Sequence, residues 1–237
     1  MGSVASGKST CARLLSQSWG ARWIEEDFGE NPFLEKFYKD PAEYSFRSQF
    51  WFLEKKVDQL SKLDSSMAEI IDPALEMDRL YAKTQHQMGW MNKDEWNLYQ
   101  DWYDVLKEKK NISEPDIYFV VNAPNDILYN RIQKRGRESE MWFLEDGNRR
   151  SYFEKLRSNV QRWHWGKCRV ADFPPTAPIN SAAFDLSRGG GEAGEFLVKD
   201  VENWIRYYFL YRQPQSGEDR NKITLPNNLG PLRTLGS

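Results

Sequence analysis

Hydrophobic and polar positions along the chain switch repeatedly between the spacing of strands and the spacing of helices. Short apolar runs predict strands at 21–25, 68–71 and 117–121, with a last candidate at 182–186. Apolar residues three and four positions apart predict helices at 8–15, 41–63, 75–87, 93–109, 124–134, 152–163 and 196–211. Strands that alternate with helices favour an α/β fold, in which a parallel sheet carries helices on both faces.

The composition narrows the class of protein. The 237 residues are 40% hydrophobic and 29% charged, with a net charge of -2, which excludes a disordered chain and a fibre. No apolar run approaches the roughly 20 residues of a membrane span, and no basic surplus favours a nucleic-acid partner. Two cysteines and two histidines provide neither a disulfide framework nor a metal cluster, so we expect a reducing compartment.

The chain divides into a domain and a tail. We expect residues 1–212 to form one domain, because the helical and strand patterns run through them without a linker. Residues 213–237 lose that periodicity and gain Pro, Asn and Gly, which predicts an irregular tail.

A phosphate-binding motif opens the sequence. Gly2, Gly7, Lys8 and Ser9 fit the pattern G-x-x-x-x-G-K-[ST], with Thr10 beside them, and a helical pattern follows at once. The glycines let backbone N–H groups surround phosphate oxygens, the lysine reaches the outer phosphates, and the serine hydroxyl suits Mg²⁺. The motif predicts ATP and Mg²⁺ as cofactors.

The strand that normally precedes such a loop has no counterpart in the printed sequence, because only Met1 stands before the loop. We therefore expect this first strand to lie outside the sequence or to come from another part of the structure.

Three later segments resemble the deoxynucleoside kinase family: EEDFGENPFLEKFYKDP at 25–41, PDIY at 115–118 and KRGRESE at 134–140. The resemblance implies a P-loop kinase fold with a five-stranded parallel sheet, helices on both faces and a lid. It also implies transfer of the γ-phosphoryl group of ATP to the 5′-hydroxyl of a deoxyribonucleoside.

The resemblance assigns roles to residues by position. Glu26 is similar to the family's general base, with Glu25 as the neighbour that could be confused with it. Tyr38 is similar to the tyrosine that binds the 3′-hydroxyl, and Gln49 to the amide that pairs with the nucleobase. Seven residues after Gln49, Lys56 lies on the same helical face. With Asp78 it resembles a pair that favours deoxyadenosine, deoxyguanosine or deoxycytidine over thymidine; an exposed lysine and an unrelated aspartate are the alternative.

The lid and the metal site are also implied. Arg131, Arg135 and Arg137 resemble the lid arginines that bind the triphosphate, and Glu140 the lid glutamate that reaches the 3′-hydroxyl. Asp72 stands where the family has a carboxylate associated with Mg²⁺. The family's arginine is expected directly after it, but this sequence has Pro73, and Arg79 is not at a matching position. Tyr81 could replace the family's stacking phenylalanine with a one-residue gap.

Two functions stay open at this point. The first is an active kinase, which the resemblance implies is a homodimer and which we expect in the cytoplasm. The second is a non-catalytic kinase-fold subunit of a larger assembly, similar to the accessory subunit of respiratory complex I on the mitochondrial matrix side. Pro73, the missing first strand and the tail favour the second. A nucleotide monophosphate kinase would share the loop and lid but would not explain Glu26, Tyr38 and Gln49 together.

Overall fold

The structure is a computed structural model that describes residues 1–26, 29–64, 66–170, 173–184 and 191–211. Its helices are α1 Lys8–Trp19, α2 Leu34–Lys39, α3 Pro41–Leu60, α4 Leu75–Gln87, α5 Lys93–Lys109, α6 Asn125–Arg135, α7 Glu138–Met141, α8 Gly147–Lys167 and α9 Gly191–Tyr211. Its strands are β1 Arg22–Glu25, β2 Glu69–Asp72, β3 Tyr118–Asn122 and β4 Thr176–Asn180. Short 3-10 turns follow α7 at Trp142–Leu144 and β4 at Ser181–Ala183.

The described strands form two parallel pairs. Strand β1 pairs with β2, and β3 pairs with β4 in a register that places Val121 opposite Ile179. Beside β3 runs the backbone of Met1, whose nitrogen donates to the carbonyl of Phe119 (2.6 Å) and whose carbonyl accepts from Val121 (2.8 Å). The α/β class is confirmed, while the described residues show four strands in two pairs and not a continuous sheet of five.

Helices cover both faces of the β3–β4 pair, as the sequence predicts. Alternate residues of β3 point to opposite faces. Tyr118 and Val120 pack with apolar side chains of α4 and α8, whereas Val121 packs with α1 and α9. A further core joins α3, α4 and α5. The carboxyl ends of the strands are thereby held between two layers of helices, where parallel α/β proteins place their ligands.

Local sequence signals explain where several helices begin. Asp40 accepts a hydrogen bond from the backbone N–H of Glu43 (3.1 Å) at the start of α3, and Pro41 occupies the first helical position. Asn92 and Glu95 form a reciprocal capping box at the start of α5. Strong caps of this kind are why the predicted and observed starts of these two helices coincide.

The predicted strand at 182–186 is wrong. The last described strand is Thr176–Asn180, and the chain then turns through Ser181–Ala183, where the side chain of Asn180 accepts from the N–H of Ala182 (3.1 Å). In the sequence, Pro178 disfavours a strand because proline has no backbone N–H to donate to a neighbouring strand. It is tolerated here because β4 has only β3 as a described partner. Residues 185–186 lie outside the described residues.

Two short helices, α2 and α7, were not predicted, because six and four residues are too few for a periodic pattern. The tail at 213–237 lies outside the described residues, so the domain boundary stays a prediction. None of the helices in the described ranges combines the length and the apolar character that crossing a membrane requires.

Candidate functional site

The loop between Met1 and α1 has a backbone that only glycine allows at two points. Gly7 has φ 97° and ψ 14°, in the left-handed region, and its carbonyl accepts the first helical bond from Cys11 (2.9 Å). A Cβ on Gly2 would collide with the carbonyl oxygen of Val121. The loop is therefore pressed against the end of β3, and its backbone leads directly into the N-terminus of α1, where anions bind favourably.

Lys8 lies where the loop, two strand ends and the lid meet. Its side chain is half-buried, and its ammonium donates to the carbonyl of Ser3 (3.0 Å). Burial lowers the pKa of Lys8, while the charges of Asp72 and Glu26 act in the opposite direction. Arg135 and Glu140 of the lid region also act on it. The sequence-predicted cation and carboxylates therefore converge on one place.

Two oxygen donors at this place suit a magnesium ion. Ser9 is exposed in the first turn of α1, and the carboxyl-bearing Asp72 ends β2 with 5% of its surface exposed. Within the described ranges no cluster of three or more His, Cys, Asp or Glu side chains forms a metal site. Mg²⁺ needs no such cluster beside a nucleotide, because it takes most of its ligands from phosphates and water. Ser9 and Asp72 thus fit Mg²⁺, with Thr10 half-buried beside them.

Glu26, directly after β1, is held by a buried ion pair. Its carboxylate lies 3.1 Å from the ammonium of Lys56, and the two side chains are 10% and 1% exposed. Burial raises the pKa of Glu26, and the positive charge of Lys56 opposes the rise. Glu25 is instead exposed, and its backbone carbonyl accepts from the amide of Gln59 (2.9 Å). The structure thereby distinguishes the two glutamates, which the sequence alone does not, by the burial of Glu26 and the exposure of Glu25.

A row of polar side chains on α3 and α4 faces the interior next to this ion pair. Gln49 and Asp78 are 5% and 3% exposed, and within the described chain Gln49 Oε1 and Asp78 Oδ2 have no hydrogen-bond partner. Burial, followed by the charge of Glu26, raises the pKa of Asp78 well above its ordinary value. Lys56, two turns after Gln49, forms an ion pair with Glu26 and donates to Gln59, and its charge partly opposes the rise in the pKa of Asp78. Buried polar groups of this kind need a hydrogen-bond partner, which a bound ligand can supply.

The aromatic residues of the predicted site lie in the same region. Burial raises the pKa of Tyr81 well above its ordinary value, and the neighbouring charges of Glu26, Tyr38 and Asp78 add to the rise. Burial also raises the pKa of Tyr38 to about 12, with a further contribution from Glu140. Tyr81 and Tyr38 are thus both within electrostatic reach of the carboxylates described above.

The lid region begins where α6 ends and carries a group of charges. One oxygen of Glu140 accepts from both Arg135 (3.3 Å) and Arg137 (3.4 Å). Its other oxygen, Oε2, is buried and has no hydrogen-bond partner among the described residues. The arginine side chains are 36% and 70% exposed, so their remaining donors face solvent. The lid therefore presents cations outward and one open carboxylate oxygen inward.

Arg131 has a different surrounding from the other two arginines. Its guanidinium donates to the hydroxyl (2.9 Å) and the carbonyl (2.7 Å) of Ser181, and to the carbonyls of Ala5 and Ser6 in the loop at 3.4 Å each. Ser181 is fully buried, and its hydroxyl donates to the carbonyl of Asn122 (3.2 Å). Arg131 thus braces the phosphate loop against the turn after β4. Sequence reasoning missed Ser181, because the predicted strand at 182–186 began directly after it and hid the turn at Ser181–Ala183.

Pro73 stands where the family has an arginine, and the next arginine along the chain, Arg79, does not replace that cation. Arg79 stacks its guanidinium on the ring of Tyr103, 5.1 Å from the centroid, on the side of α4 that packs against α5. Lys8 instead interacts electrostatically with Asp72.

Comparison with known proteins identifies the family. The sequence model of the deoxynucleoside kinases matches residues 1–188. The chain is 28% identical over 181 residues to the deoxyadenosine/deoxycytidine kinase of Bacillus subtilis (strain 168), covering 73% of this chain and 81% of that protein. It is 26% identical to the deoxycytidine kinase of Mus musculus, covering 86% and 88% of the two chains.

Solved structures agree with this similarity. The deoxyadenosine kinase from M. mycoides with bound dCTP superposes with a TM-score of 0.70 at 26% identity, covering 86% of this chain and 96% of that one. The same enzyme with bound dATP gives a TM-score of 0.69 at 27% identity. Sequence, fold and the convergence of loop, strand ends and lid lead to one conclusion: the chain belongs to the deoxynucleoside kinase family.

Proposed function

We propose that this protein phosphorylates the 5′-hydroxyl of a deoxyribonucleoside with ATP. The observation that carries the proposal is the meeting of Lys8 with Glu26, Asp72 and the lid charges at the carboxyl ends of β1 and β2. Phosphoryl transfer needs positive charge around the phosphates and one group that accepts the hydroxyl proton, and this place supplies both. The names of the relatives support the same reaction.

The proposed roles follow from the surroundings of each side chain. Glu26 accepts the proton of the 5′-hydroxyl, since it is a buried carboxylate that interacts with Lys8, and the charge of Lys56 favours its ionised form. Lys8 and the exposed donors of Arg135 and Arg137 bind the phosphates. Ser9 and Asp72 would hold Mg²⁺, which supplies positive charge to the transferred phosphate.

The sugar and the base have separate partners in the proposal. Tyr38 and the open oxygen of Glu140 bind the 3′-hydroxyl from two sides. Gln49 offers both a donor and an acceptor to the base edge. The unpaired oxygen of Asp78 accepts from an exocyclic amino group, which adenine, guanine and cytosine have and thymine lacks.

The base preference gives the first prediction. With ATP and each of the four deoxyribonucleosides, we expect kcat/KM for deoxyadenosine, deoxycytidine or deoxyguanosine to exceed that for thymidine by at least about fivefold. A buried acceptor left without a donor costs about 1–3 kcal/mol, which is the basis of this margin. Asp78→Leu, which removes the acceptor oxygen, should narrow this margin, whereas Asp126→Leu, at an exposed position in the first turn of α6, should leave it unchanged. Thymidine as the preferred substrate would contradict the assignment of Asp78.

The Glu26–Lys56 ion pair predicts a change in pH dependence. Lys56 lowers the pKa of Glu26, and a base must be ionised to accept a proton. In Lys56→Met the pKa of Glu26 rises, so the acidic limb of the kcat/KM profile should move to higher pH by about one pH unit. The measurement is the pH profile of kcat/KM for the preferred deoxynucleoside.

Lys55→Met is the matched control for that variant. Lys55 is the exposed neighbour, 3.9 Å from Glu30 and with its side chain 55% exposed, so its removal should leave the acidic limb in place. An acidic limb that stays unchanged in Lys56→Met would show that Glu26 is not the group that titrates in the profile.

The alternative of a non-catalytic subunit is not favoured, because the relatives that match this chain are kinases.

We also propose a homodimer, in which a second copy covers the exposed side chains of Leu98, Trp102 and Val105 along α5. The free thiols of Cys11 and Cys168 support a reducing compartment, for which we propose the cytoplasm. The bonds of Met1 to β3 support a fifth strand at this edge, between the two observed pairs.

A further inference from the structure

The indole of Trp142 fastens the lid region to the helix that carries Tyr38. Trp142 lies two residues after Glu140 and is 4% exposed. Its Nε1–H donates to the backbone carbonyl of Tyr38 at 2.7 Å, and the rings of the two residues are 5.2 Å apart. Tyr38 is in the last turn of α2, where carbonyls have no N–H partner within the helix. The indole therefore provides a partner that the end of α2 needs.

This contact joins two groups that act on the same part of the proposed substrate. Glu140 stands at one side of the link and Tyr38 at the other, and the charge of Glu140 reaches the hydroxyl of Tyr38. Because Arg135 and Arg137 occupy one oxygen of Glu140, only Oε2 is open. The separation between this oxygen and the hydroxyl of Tyr38 decides whether one hydroxyl group can bond both.

Packing around Trp142 leaves it little freedom to move. Its ring lies 5.7 Å from that of Phe37 and 6.1 Å from that of Trp90, and the guanidinium of Arg149 covers it at 4.8 Å. Close packing of this kind holds the lid region in a fixed position relative to α2, because displacing the ring would require its neighbours to repack.

We propose that Trp142 is a positioning residue that sets the spacing between Tyr38 and Glu140 and so makes the enzyme select nucleosides that carry a sugar 3′-hydroxyl. The proposal rests on the proposed function. Trp142 itself contacts neither the sugar nor the phosphates. It acts through the two residues whose separation it fixes.

The variant Trp142→Phe tests the proposal, since it keeps an aromatic ring and removes the N–H donor. The measurement is kcat/KM for a 2′-deoxynucleoside and for the 2′,3′-dideoxynucleoside with the same base. We expect the preference of the wild type for the 3′-hydroxyl to fall about tenfold in the variant, while kcat/KM for the dideoxynucleoside changes less than about twofold. An equal loss with both substrates, or no loss with either, would overturn the proposal.

Trp19→Phe is the matched control. It removes an indole donor of the same kind, from Trp19 on α1 to the carboxylate of Glu202 on α9 (3.1 Å), away from the lid. The preference for the 3′-hydroxyl should stay at the wild-type value in this variant. Melting temperatures of both variants show whether a loss reflects unfolding.

A double-mutant cycle with Tyr38→Phe gives a second measurement. If Trp142 acts through Tyr38, the effect of Trp142→Phe on the preference should largely vanish once the hydroxyl of Tyr38 is absent. Additive effects would contradict the proposal. Dissociation constants of the two nucleosides, measured without ATP, separate it from the proposed function. A narrowed difference in binding supports the role of Trp142 even in a protein without turnover, whereas an unchanged difference overturns it.

Discussion

Lys8→Ala should abolish ATP-dependent phosphorylation, with a fall in kcat of at least about 10³-fold. The ammonium lies at the phosphate loop, to whose Ser3 carbonyl it donates. Pro73 stands where a second cation is expected, and Arg79 is occupied on Tyr103, so the loop lysine has less support here than the family pattern implies. Steady-state kinetics with the preferred deoxynucleoside measure the effect.

The same substitution should not unfold the protein. Burial lowers the pKa of Lys8, which means that the folded state pays to keep its charge, and removing the ammonium relieves that cost. The melting temperature of Lys8→Ala should therefore equal or exceed that of the wild type. Lys83→Ala, at an exposed position of α4, is the control and should keep full activity. Turnover that survives in Lys8→Ala would remove the loop from the proposed site.

Glu26→Gln should lower kcat by about 10³-fold with little change in deoxynucleoside binding, because an amide cannot accept the proton in the transition state. The substitution also leaves Lys56 without its negative partner, and we expect a lower melting temperature as well. The dissociation constant of the nucleoside, measured beside kcat, separates the loss of the base from a loss of structure.

Glu25→Gln is the control for this prediction. Glu25 is the preceding residue, exposed at the end of β1, and should tolerate the change without loss of turnover. The reverse result, an active Glu26→Gln and an inactive Glu25→Gln, would move the base to Glu25.

Much of the fold could be predicted because its signals are local. The helices that begin at Pro41 and Lys93 carry their caps in the sequence, and the apolar run of β3 is bounded by Pro115 and Pro124. Strand β4 could not be predicted, since Pro178 hides it and only its pairing with β3 stabilises it. The pattern at 182–186 is apolar but lies beyond the point where the chain turns away.

In the site, too, features set by local sequence could be predicted and contacts between distant segments could not. The loop residues and the order of Arg135, Arg137 and Glu140 could be predicted from spacing, since they are close together in the chain. Sequence reasoning placed Lys56 beside Asp78, and its charge does oppose the rise that burial causes in the pKa of Asp78. The ion pair of Lys56 with Glu26, thirty residues earlier, could not be predicted. Contacts between distant segments depend on how strands and helices pack, and spacing along one helix does not reveal them.

The brace formed by Arg131 limits how the length of the chain can vary. Strand β3 fixes the start of α6, and the side chain of Arg131 must point from that helix toward Ser181 to form its hydrogen bonds. Adding or deleting one residue of α6 before Arg131 would turn its side chain by about 100° around the helix axis and detach it from the loop. The helix ends at Gly136, where φ is 60°, so this count does not extend into the lid. Insertions and deletions should therefore be rejected between β3 and Arg131.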